Sequence, residues 1–395
     1  MLDANDKNYY DMKGMLIYNP TLTHYAVHQA YPLVQFVEYW TGLFPFNDTF
    51  RADIKAIDAE CGFSKFVGEH LVYPSKGKMP TSSLPAVDPA TGQLSSYKCA
   101  SLYYRILQAI MQMNPCFDLY HVSSQCPLPW DILGYPGSTK YSPSGASIYF
   151  DRKDVKEALH APVDVKWEQC KDNVFVDDKD DSEPSSFNAV PSVIDRTQNV
   201  IISHGALDMI LIANGTLLAI QNMTWGGKTG FDQKPSWPFY VPAFSPNITT
   251  LESLAVGGSV FGSMVTERGL TYVGVDLAGH MVPQYAPSAA YRQMEYLLGR
   301  VNCMNCTKPF TTDPNGDAAV DLQSMEELGT GTAPQGWSNL DALSVVSTNA
   351  GGVVGGVEQA AASPRLLGRA WEGYLPSLAF AIIGVVNVLG QVEMV

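Results

Sequence analysis

Two short apolar runs set the strongest limits on the fold, because each is typical of a buried strand and each precedes an ionisable side chain. Residues 199–203 (NVIIS) lead to Asp208, and residues 270–275 (LTYVGV) lead to His280. Open α/β sheets place their chemistry at the carboxyl ends of buried strands. The two runs therefore predict an α/β fold with Asp208 and His280 at one edge of a sheet.

The loop that carries His280 is suited to holding a ring in one orientation. Gly279 permits a tight exit from the strand, and prolines 283 and 287 stiffen the backbone that follows. An aspartate followed by such a histidine fits the last two members of the order Ser, Asp, His in α/β-hydrolases. Two alternatives stay open, namely that Asp208 caps a helix over 209–220 and that His280 is an ordinary loop histidine.

The charge balance disfavours one large class of partner. The chain has 25 Lys and Arg against 39 Asp and Glu, which gives a formal net charge of −14 at pH 7. Nothing resembles a basic stripe that would bind a phosphate backbone, so nucleic acid is not an expected partner. The acidic stretch 172–183 favours a solvated surface over a metal site, since no glycine-turned ligand loop follows it.

Seven cysteines occur together with five N-x-Ser/Thr acceptor sites, which favours a disulfide-forming secretory compartment. The expected location is therefore extracellular or at the cell surface, with the vacuole as the alternative. Chance acceptor sites and free buried thiols are the competing interpretation. The predicted glycosylation sites are Asn47, Asn214, Asn222, Asn247 and Asn305.

Most of the cysteines lie in a segment, about 40–149, that is rich in proline, glycine and serine and has one predicted helix, 103–113. Local disulfides would compensate there for a thin core. None of the four cysteines in this segment forms the close pair of ligands that a structural zinc site normally uses, which disfavours zinc binding there. Three connectivities are possible, and we expect the nested pairs. Those pairs are Cys61 with Cys126 and Cys99 with Cys116, and a further local disulfide is expected between Cys303 and Cys306.

The two ends of the chain carry predictions of their own. The first 14 residues show neither the basic nor the apolar region of a signal peptide, and the cysteine count is odd, so we expect the chain to start internally. Residues 307–369 lose periodicity and predict a flexible linker. The apolar tail in 370–395 follows small residues and fits a glycosylphosphatidylinositol attachment signal, with cleavage near Ala361. An ordinary hydrophobic end or a marginal membrane helix is the alternative.

Four segments taken together resemble the serine carboxypeptidases, secreted or vacuolar α/β-hydrolases that remove C-terminal residues from peptides. The segments are YFDRKDVKEALHAP (149–162), IISHGALDMI (201–210), WGG (225–227) and LTYVGVDLAGHMVPQYAP (270–287). The resemblance covers about residues 1–302. It implies an α/β-hydrolase domain over 1–306, with a disulfide-rich cap insertion at about 30–130.

The resemblance also implies roles for individual residues. Asp208 matches the triad aspartate and His280 the triad histidine, while Met281 matches a residue near the leaving-group pocket. Cys170 resembles a cysteine that is bridged to the N-terminal part of the domain, so we expect it to be unpaired in this chain. The implied substrates are peptides and proteins with a free C-terminus, and neither a metal nor an organic cofactor is implied.

One departure from the family pattern is decisive for the expected activity. The family's nucleophile lies in a G-E-S-Y-A-G elbow, and this sequence contains no G-x-S-x-G motif. Residues 1–4 resemble the helix that follows that elbow, so we expect this chain to be inactive by itself. Two alternatives remain, a non-catalytic surface glycoprotein with a degenerate hydrolase fold and a related acyltransferase.

Overall fold

A computed structural model describes residues 11–126, 130, 144–168, 182–242, 258–312 and 383–384. Several predictions fall outside these ranges: those on residues 1–4, Cys170, the acidic stretch, Asn247, the linker beyond residue 312 and the attachment signal near Ala361.

A mixed sheet forms the centre of the molecule. Among the described residues its strand order is β5–β6–β7–β2–β1–β8, and β1, β2 and β7 run parallel to one another. The pairs β5–β6, β6–β7 and β1–β8 are antiparallel, and β3 and β4 form a separate ladder. The strands are β1 (Met15–Tyr18), β2 (Val200–Gly205), β3 (Thr224–Trp225), β4 (Lys228–Thr229), β5 (Trp237–Val241), β6 (Ser259–Glu267), β7 (Leu270–Val275) and β8 (Ile383–Gly384).

The two apolar runs of the sequence become neighbouring parallel strands. All six residues of β2 are buried, and Ile201 lies opposite Thr271 in the register with β7. The turn between β6 and β7 requires glycine at position 269, because its φ is +81° and a Cβ there would lie 2.6 Å from the Cα of Gln198. The strand predicted at 270–275 is confirmed as β7, the second strand of this hairpin.

Helices cover both faces of the sheet, as expected from strands that are apolar on both sides. One face packs on α8 and α9, and the other packs on α10 and α11. The α/β class predicted from the sequence is confirmed. The helices are α1 (Tyr25–Gln29), α2 (Leu33–Tyr39), α3 (Asp48–Cys61), α4 (Phe63–His70), α5 (Tyr97–Ala100), α6 (Leu102–Met113), α7 (Lys153–Ala158), α8 (Ala189–Thr197), α9 (Ala213–Asn222), α10 (Val282–Tyr285) and α11 (Pro287–Leu297).

The described part of the segment predicted to be loop-rich with one helix contains four α-helices, so the prediction missed α3, α4 and α5. Asn47 caps α3 by accepting the backbone N–H of Phe50, and Gly62 ends the helix with a φ of +77°. Buried residues of α2 to α6, including Ile54 and Ile106, form one core with side chains from the loop after β2. The proline and serine clusters that suggested loops lie between these helices.

The nested disulfide pairing is also wrong. Cys61 is joined to Cys99, with the two Cα atoms 5.8 Å apart, and Cys116 is joined to Cys126, with the Cα atoms 5.2 Å apart. The reason is that α3 packs beside α5, which brings Cys61 to Cys99 and leaves the later pair to close a short loop. Residues Cys303 and Cys306 form a local disulfide.

The helix predicted over 209–220 is right in kind and wrong in extent, because α9 begins only at Ala213. The helices α1 and α2 are separated by a break at Pro32. The short helix α7 begins at Lys153, and Asp151 does not cap it. The Asp151 carboxylate instead accepts hydrogen bonds from Lys156 Nζ and the backbone N–H of Trp167, both at 2.8 Å.

The folded domain extends past the predicted start of the linker at residue 307. Phe310 is 1% exposed, and the backbone N–H of Thr311 donates to Glu295 Oε1 on α11 over 2.6 Å. Residues 307–312 therefore belong to the domain. Within the described ranges, none of the helices has the length and apolar character needed to cross a membrane.

Candidate active site

Asp208 lies just past the end of β2, and its side chain is fully buried. Its Oδ1 accepts the backbone N–H groups of Ile210 at 2.9 Å and Leu211 at 3.2 Å, which closes a turn ahead of α9. The capping alternative is wrong, because the N-cap residue of α9 is Ile212 and the N–H groups bound by Asp208 lie before the helix. Its second oxygen, Oδ2, remains available for other donors.

His280 follows β7 and reaches the same carboxylate. Its Nδ1 lies 2.8 Å from Asp208 Oδ2, and its imidazole is only 13% exposed. Because an ionised carboxylate can only accept hydrogen bonds, the proton of the neutral ring lies on Nδ1 and Nε2 carries the lone pair. The arrangement supplies an oriented imidazole base backed by a buried carboxylate, which is the chemistry required to activate a hydroxyl nucleophile.

Asn19, at the end of β1, is a site residue that the sequence did not single out. Its Nδ2 donates to Asp208 Oδ2 over 2.7 Å, and its Oδ1 accepts the backbone N–H of Gly205 at 3.2 Å. Asn19 has a φ of +43°, in the left-handed region that asparagine tolerates better than most residues. An asparagine directly after a short strand was the signal that could have identified it.

Two glycines permit the close approach of the strands and loops at this site. A Cβ on Gly205 would lie 2.2 Å from the carbonyl oxygen of Gly279. A Cβ on Gly279 would lie 2.0 Å from the carbonyl oxygen of Tyr120. Side chains at either position would push apart the loops that carry Asp208 and His280.

The loop closed by the Cys116–Cys126 disulfide, residues 116–126, contacts both of these loops. The backbone N–H of Met209 donates to the carbonyl of Leu119, and that of Val122 donates to the carbonyl of Leu207, both over 3.0 Å. The backbone N–H of His280 donates to the carbonyl of Tyr120 over 2.7 Å. This disulfide-closed loop therefore fixes the position of the Asp208 loop relative to the His280 loop.

An apolar and aromatic cluster surrounds the imidazole. Met281 is 9% exposed and packs with Tyr120 and Ile210, and the ring centroids of Tyr120 and His280 are 5.5 Å apart. Tyr285 stacks on His121 with ring centroids 4.2 Å apart. This cluster packs beside the His280 ring.

Asp118 adds a second carboxyl group to this region. Burial raises the pKa of Asp118 to about 6, partly offset by hydrogen bonds from the backbone N–H of Tyr120 and the hydroxyl of Tyr285, while the charge of Asp208 raises the pKa further. Tyr285 Oη lies 3.5 Å from Asp118 Oδ2. This carboxyl group therefore changes charge in the mildly acidic range.

The predicted glycosylation sites differ in their surroundings. Asn47 is exposed, whereas both ends of the Asn222 amide bond the backbone of Met79. Asn214 is partly buried in α9, and Asn305 lies within the Cys303–Cys306 loop. Glycosylation at these sites stays a prediction. In the described part of the chain, no group of three or more His, Cys, Asp or Glu side chains is placed to hold a metal ion.

The central sheet, its two helix layers and the Asp208–His280 pair at the strand ends define an α/β protein with a candidate acid/base site. A family model described as serine carboxypeptidase matches residues 1–300. The chain therefore belongs to the serine carboxypeptidase family, as the sequence motifs predicted.

Individual relatives agree with this assignment. A "Probable serine carboxypeptidase" from Arthroderma benhamiae is 48% identical over 303 residues, covering 76% of this chain and 54% of the relative. "Serine-type carboxypeptidase F" from Aspergillus niger is 38% identical over 313 residues, covering 76% of this chain and 57% of the relative. The chain spans a little over half the length of these relatives.

Among solved structures, Kex1(delta)p, a prohormone-processing carboxypeptidase from Saccharomyces cerevisiae, is similar with a TM-score of 0.48 and 19% sequence identity. The match covers 76% of this chain and 58% of that structure.

Proposed function

We propose that Asp208 and His280 are the acid/base pair of a serine-type carboxypeptidase that releases C-terminal residues from peptides and proteins. The observation that carries the proposal is the 2.8 Å contact between His280 Nδ1 and the fully buried carboxylate of Asp208. Family membership supplies the reaction class, and this contact supplies the residues.

In the proposed reaction, His280 Nε2 takes the proton of a serine hydroxyl as its oxygen attacks the scissile carbonyl carbon. The resulting imidazolium then donates that proton to the leaving amine, the C–N bond breaks and an acyl-enzyme remains. Water attacks the ester with His280 again as the base, which releases the shortened peptide and regenerates the serine. Asp208 stays ionised throughout and stabilises the imidazolium.

We assign the nucleophile to no residue of this chain, because the 395 residues contain no G-x-S-x-G motif. The serine would come from a portion of the enzyme that aligns with the part of the relatives not covered here. By itself the chain is expected to bind substrate poorly and to show no turnover.

The side-chain environment next to His280 favours an apolar residue at the scissile bond. Met281, Tyr120 and Tyr285 present apolar surface there, and Asp118 is the nearby acidic group. We therefore propose that Met281 contacts the departing residue, as the resemblance to the family implies. Substituting Met281 should change the preference for that residue more than the rate on the best substrate.

The test is a chimaera in which the segment of the Arthroderma benhamiae relative that this chain does not cover is joined to it. The chimaera should release a free amino acid from blocked dipeptides. The same chimaera with His280→Gln should lose turnover by about 10³-fold or more while its melting temperature is unchanged.

His160→Gln is a matched control, since His160 is exposed and distant in sequence from the site. Retained turnover in the His280→Gln chimaera would exclude His280 as the base. Release of ester or transfer products without free amino acid would instead favour an acyltransferase.

We also propose that the protein follows the secretory route, which the disulfides Cys61–Cys99 and Cys116–Cys126 support. Surface attachment through a glycosylphosphatidylinositol anchor at the C-terminal tail is part of this proposal. Release of the protein from intact cells by a phosphatidylinositol-specific phospholipase would support the anchor. If the protein were absent from the released fraction, the anchor would be excluded.

A further inference from the structure

Next to Asp208, three buried side chains form a continuous line of hydrogen bonds that the proposed reaction does not use. His204, Thr216 and His28 are all fully inaccessible to solvent. Thr216 Oγ1 lies 3.0 Å from His204 Nδ1 and 3.4 Å from His28 Nδ1. We call this set the His–Thr–His network.

The contacts of His28 Nε2, at the end of the network away from Asp208, determine which group donates and which accepts in each hydrogen bond. His28 Nε2 faces the backbone N–H groups of Leu22 at 2.9 Å and Thr23 at 3.2 Å, and both of these groups are donors. Nε2 must therefore accept, and the proton of the neutral ring lies on Nδ1, which donates to Thr216 Oγ1. The Thr216 hydroxyl is then left to donate to His204 Nδ1.

His204 in turn must carry its proton on Nε2. That nitrogen lies 2.7 Å from the carbonyl oxygen of Leu211, which can only accept. Each ring nitrogen and the hydroxyl is thus matched with a partner of the opposite kind. Protonating His28 would place an N–H on Nε2, facing the backbone N–H groups of Leu22 and Thr23. The geometry therefore favours a neutral His28 ring.

Burial acts in the same direction as the geometry. Loss of water contact, reinforced by the neighbouring His204, lowers the pKa of His28 to about 3. Loss of water contact also lowers the pKa of His204 to about 4, against the opposing effect of the nearby Asp208. Both rings are therefore neutral at pH 7.

The network reaches Asp208 through Leu211. The Leu211 backbone N–H donates to Asp208 Oδ1, while the Leu211 carbonyl accepts the Nε2 proton of His204. The same Nε2 lies 3.7 Å from Asp208 Oδ2, so the positive end of its N–H dipole is near the carboxylate. His204 therefore holds the Leu211 turn, whose N–H group binds Asp208 Oδ1. It also places the positive end of an N–H dipole near Asp208 Oδ2.

We propose that His204 and Thr216, with His28 behind them, are positioning residues that hold the Asp208 carboxylate where His280 Nδ1 donates to it. Their importance for a reaction rests on the proposed peptidase function. The contacts themselves exist in the chain whether or not it is assembled into an active enzyme.

The first test needs no substitution. In the ¹⁵N-labelled chain at pH 7, two-bond ¹H–¹⁵N correlation spectra report which nitrogen of each of the seven histidines is protonated. The expected result is a proton on Nδ1 of His28 and on Nε2 of His204. A proton on Nδ1 of His204, or a charged ring at either position, would overturn the proposal.

The second test cuts the network without removing a ring. Thr216→Val keeps the shape and deletes the donor to His204 Nδ1, so the ¹⁵N signal of that nitrogen should shift, while the Leu211 carbonyl keeps the His204 proton on Nε2. The hydrogen-bonded Nδ1 proton of His280 should then move upfield or be lost to exchange with water. Wild-type signals for both histidines in Thr216→Val would contradict the proposal.

Two further variants separate this effect from general loss of packing. Thr216→Ser keeps the hydroxyl and should preserve both signals. Thr271→Val makes the same chemical change at a buried threonine on β7, whose hydroxyl bonds Thr266, and should also preserve them. If Thr216→Val does not fold, the tautomers of the unsubstituted chain and the Thr216→Ser spectra decide the matter.

Activity measurements in the chimaera complete the test. Thr216→Val should lower kcat by about tenfold or more with little change in KM, because a misplaced base slows chemistry more than binding, and Thr216→Ser should restore it. An unchanged kcat would contradict the positioning role. A chimaera without any turnover would count against the proposed function alone, since the spectra do not depend on it.

Discussion

At the scale of single residues, the candidate site depends on how the two oxygens of one buried carboxylate are occupied. Asp208 accepts two backbone N–H groups on Oδ1, and Asn19 and His280 both donate to Oδ2. A buried charge is tolerated only when its hydrogen-bonding capacity is met in this way. Each donor is therefore open to a test by an isosteric substitution.

Asn19→Asp is the sharpest of these substitutions. It keeps the shape of the side chain but replaces the N–H donor with a second carboxylate 2.7 Å from Asp208 Oδ2. We expect a loss of about 3 kcal/mol in the free energy of unfolding at pH 7, measured by urea denaturation. The exposed control Asn302→Asp, whose side-chain oxygen accepts from Lys308, should stay within about 0.5 kcal/mol of the wild type. An unchanged free energy of unfolding in Asn19→Asp would mean that the hydrogen bond between Asn19 and Asp208 is not formed.

Asp118 gives a prediction about pH. Its pKa is raised by burial to about 6 from the ordinary value of 3.8, so the folded state binds the proton more tightly than the unfolded state. The stability that this group contributes is present below pH 4 and is lost as the pH rises through 6. Asp118→Asn cannot ionise and escapes that loss.

The stability of Asp118→Asn relative to the wild type should therefore rise by about 2 kcal/mol between pH 4 and pH 7, after allowance for partial exposure. Unfolding free energies measured at both pH values check this. Parallel pH profiles for the two proteins would show that Asp118 is not buried as described.

At the scale of elements, the disulfide-closed loop 116–126 links the core of helices α2 to α6 to both loops of the candidate site. Its backbone bonds Met209, Leu207 and His280, and the Cys116–Cys126 disulfide limits how far the loop can move. A loop outside the sheet thus contributes to the alignment of residues at the strand ends. This dependence is a property of packing between elements, not of any one side chain.

Replacing both Cys116 and Cys126 by serine should cost about 3 kcal/mol in unfolding free energy, as estimated from the length of the loop that they close. The amide of His280, which donates to Tyr120, should also exchange with deuterium faster. Hydrogen exchange read by mass spectrometry measures the second effect.

The matched control is the double replacement of Cys303 and Cys306, which also removes one disulfide but lies at the end of the domain. It should leave the exchange of the His280 amide unchanged. Equal acceleration in both variants would indicate general loosening and count against a specific link through the 116–126 loop.

At the scale of the whole molecule, residues 307–312 close the domain by packing back on α11. Phe310 is buried, Arg292 donates to Glu295 over 3.0 Å and to the carbonyl of Lys308, and Thr311 donates to Glu295. The buried Arg292–Glu295 pair is thus completed by backbone groups that follow the Cys303–Cys306 disulfide. These contacts, together with the packing of Phe310 in the core that also contains Leu16 and Ile201, hold the end of the domain in place.

Phe310→Ala should cost about 3 kcal/mol in stability and lower the melting temperature by roughly 6–12 °C, since a fully buried aromatic ring is removed. Differential scanning calorimetry measures the shift. Tyr97→Ala is the control, because Tyr97 is 89% exposed and should change the melting temperature little. An unchanged melting temperature in Phe310→Ala would indicate that the domain ends at the Cys303–Cys306 disulfide.

Local patterns along the chain were enough to predict the α/β class, the strands that lead to Asp208 and His280, and the order of these two residues. These features are local, because apolar β-branched runs and the residues that follow them are readable along the chain. The sequence also gave the family through motifs that lie close to these strands. It failed at α3, α4 and α5, because the proline, glycine and serine clusters between these helices were taken as the character of the whole segment.

Contacts between residues that are distant in sequence became visible only in the folded chain. Asn19 lies far from Asp208 in sequence and reaches it because β1 pairs with β2, and Thr216 contacts His204 and His28 because α9 packs against both β2 and α1. The pairing of Cys61 with Cys99 likewise depends on the packing of α3 beside α5. Contacts between separate elements depend on packing geometry that no local pattern encodes, and for that reason the site's supporting residues emerged only from the fold.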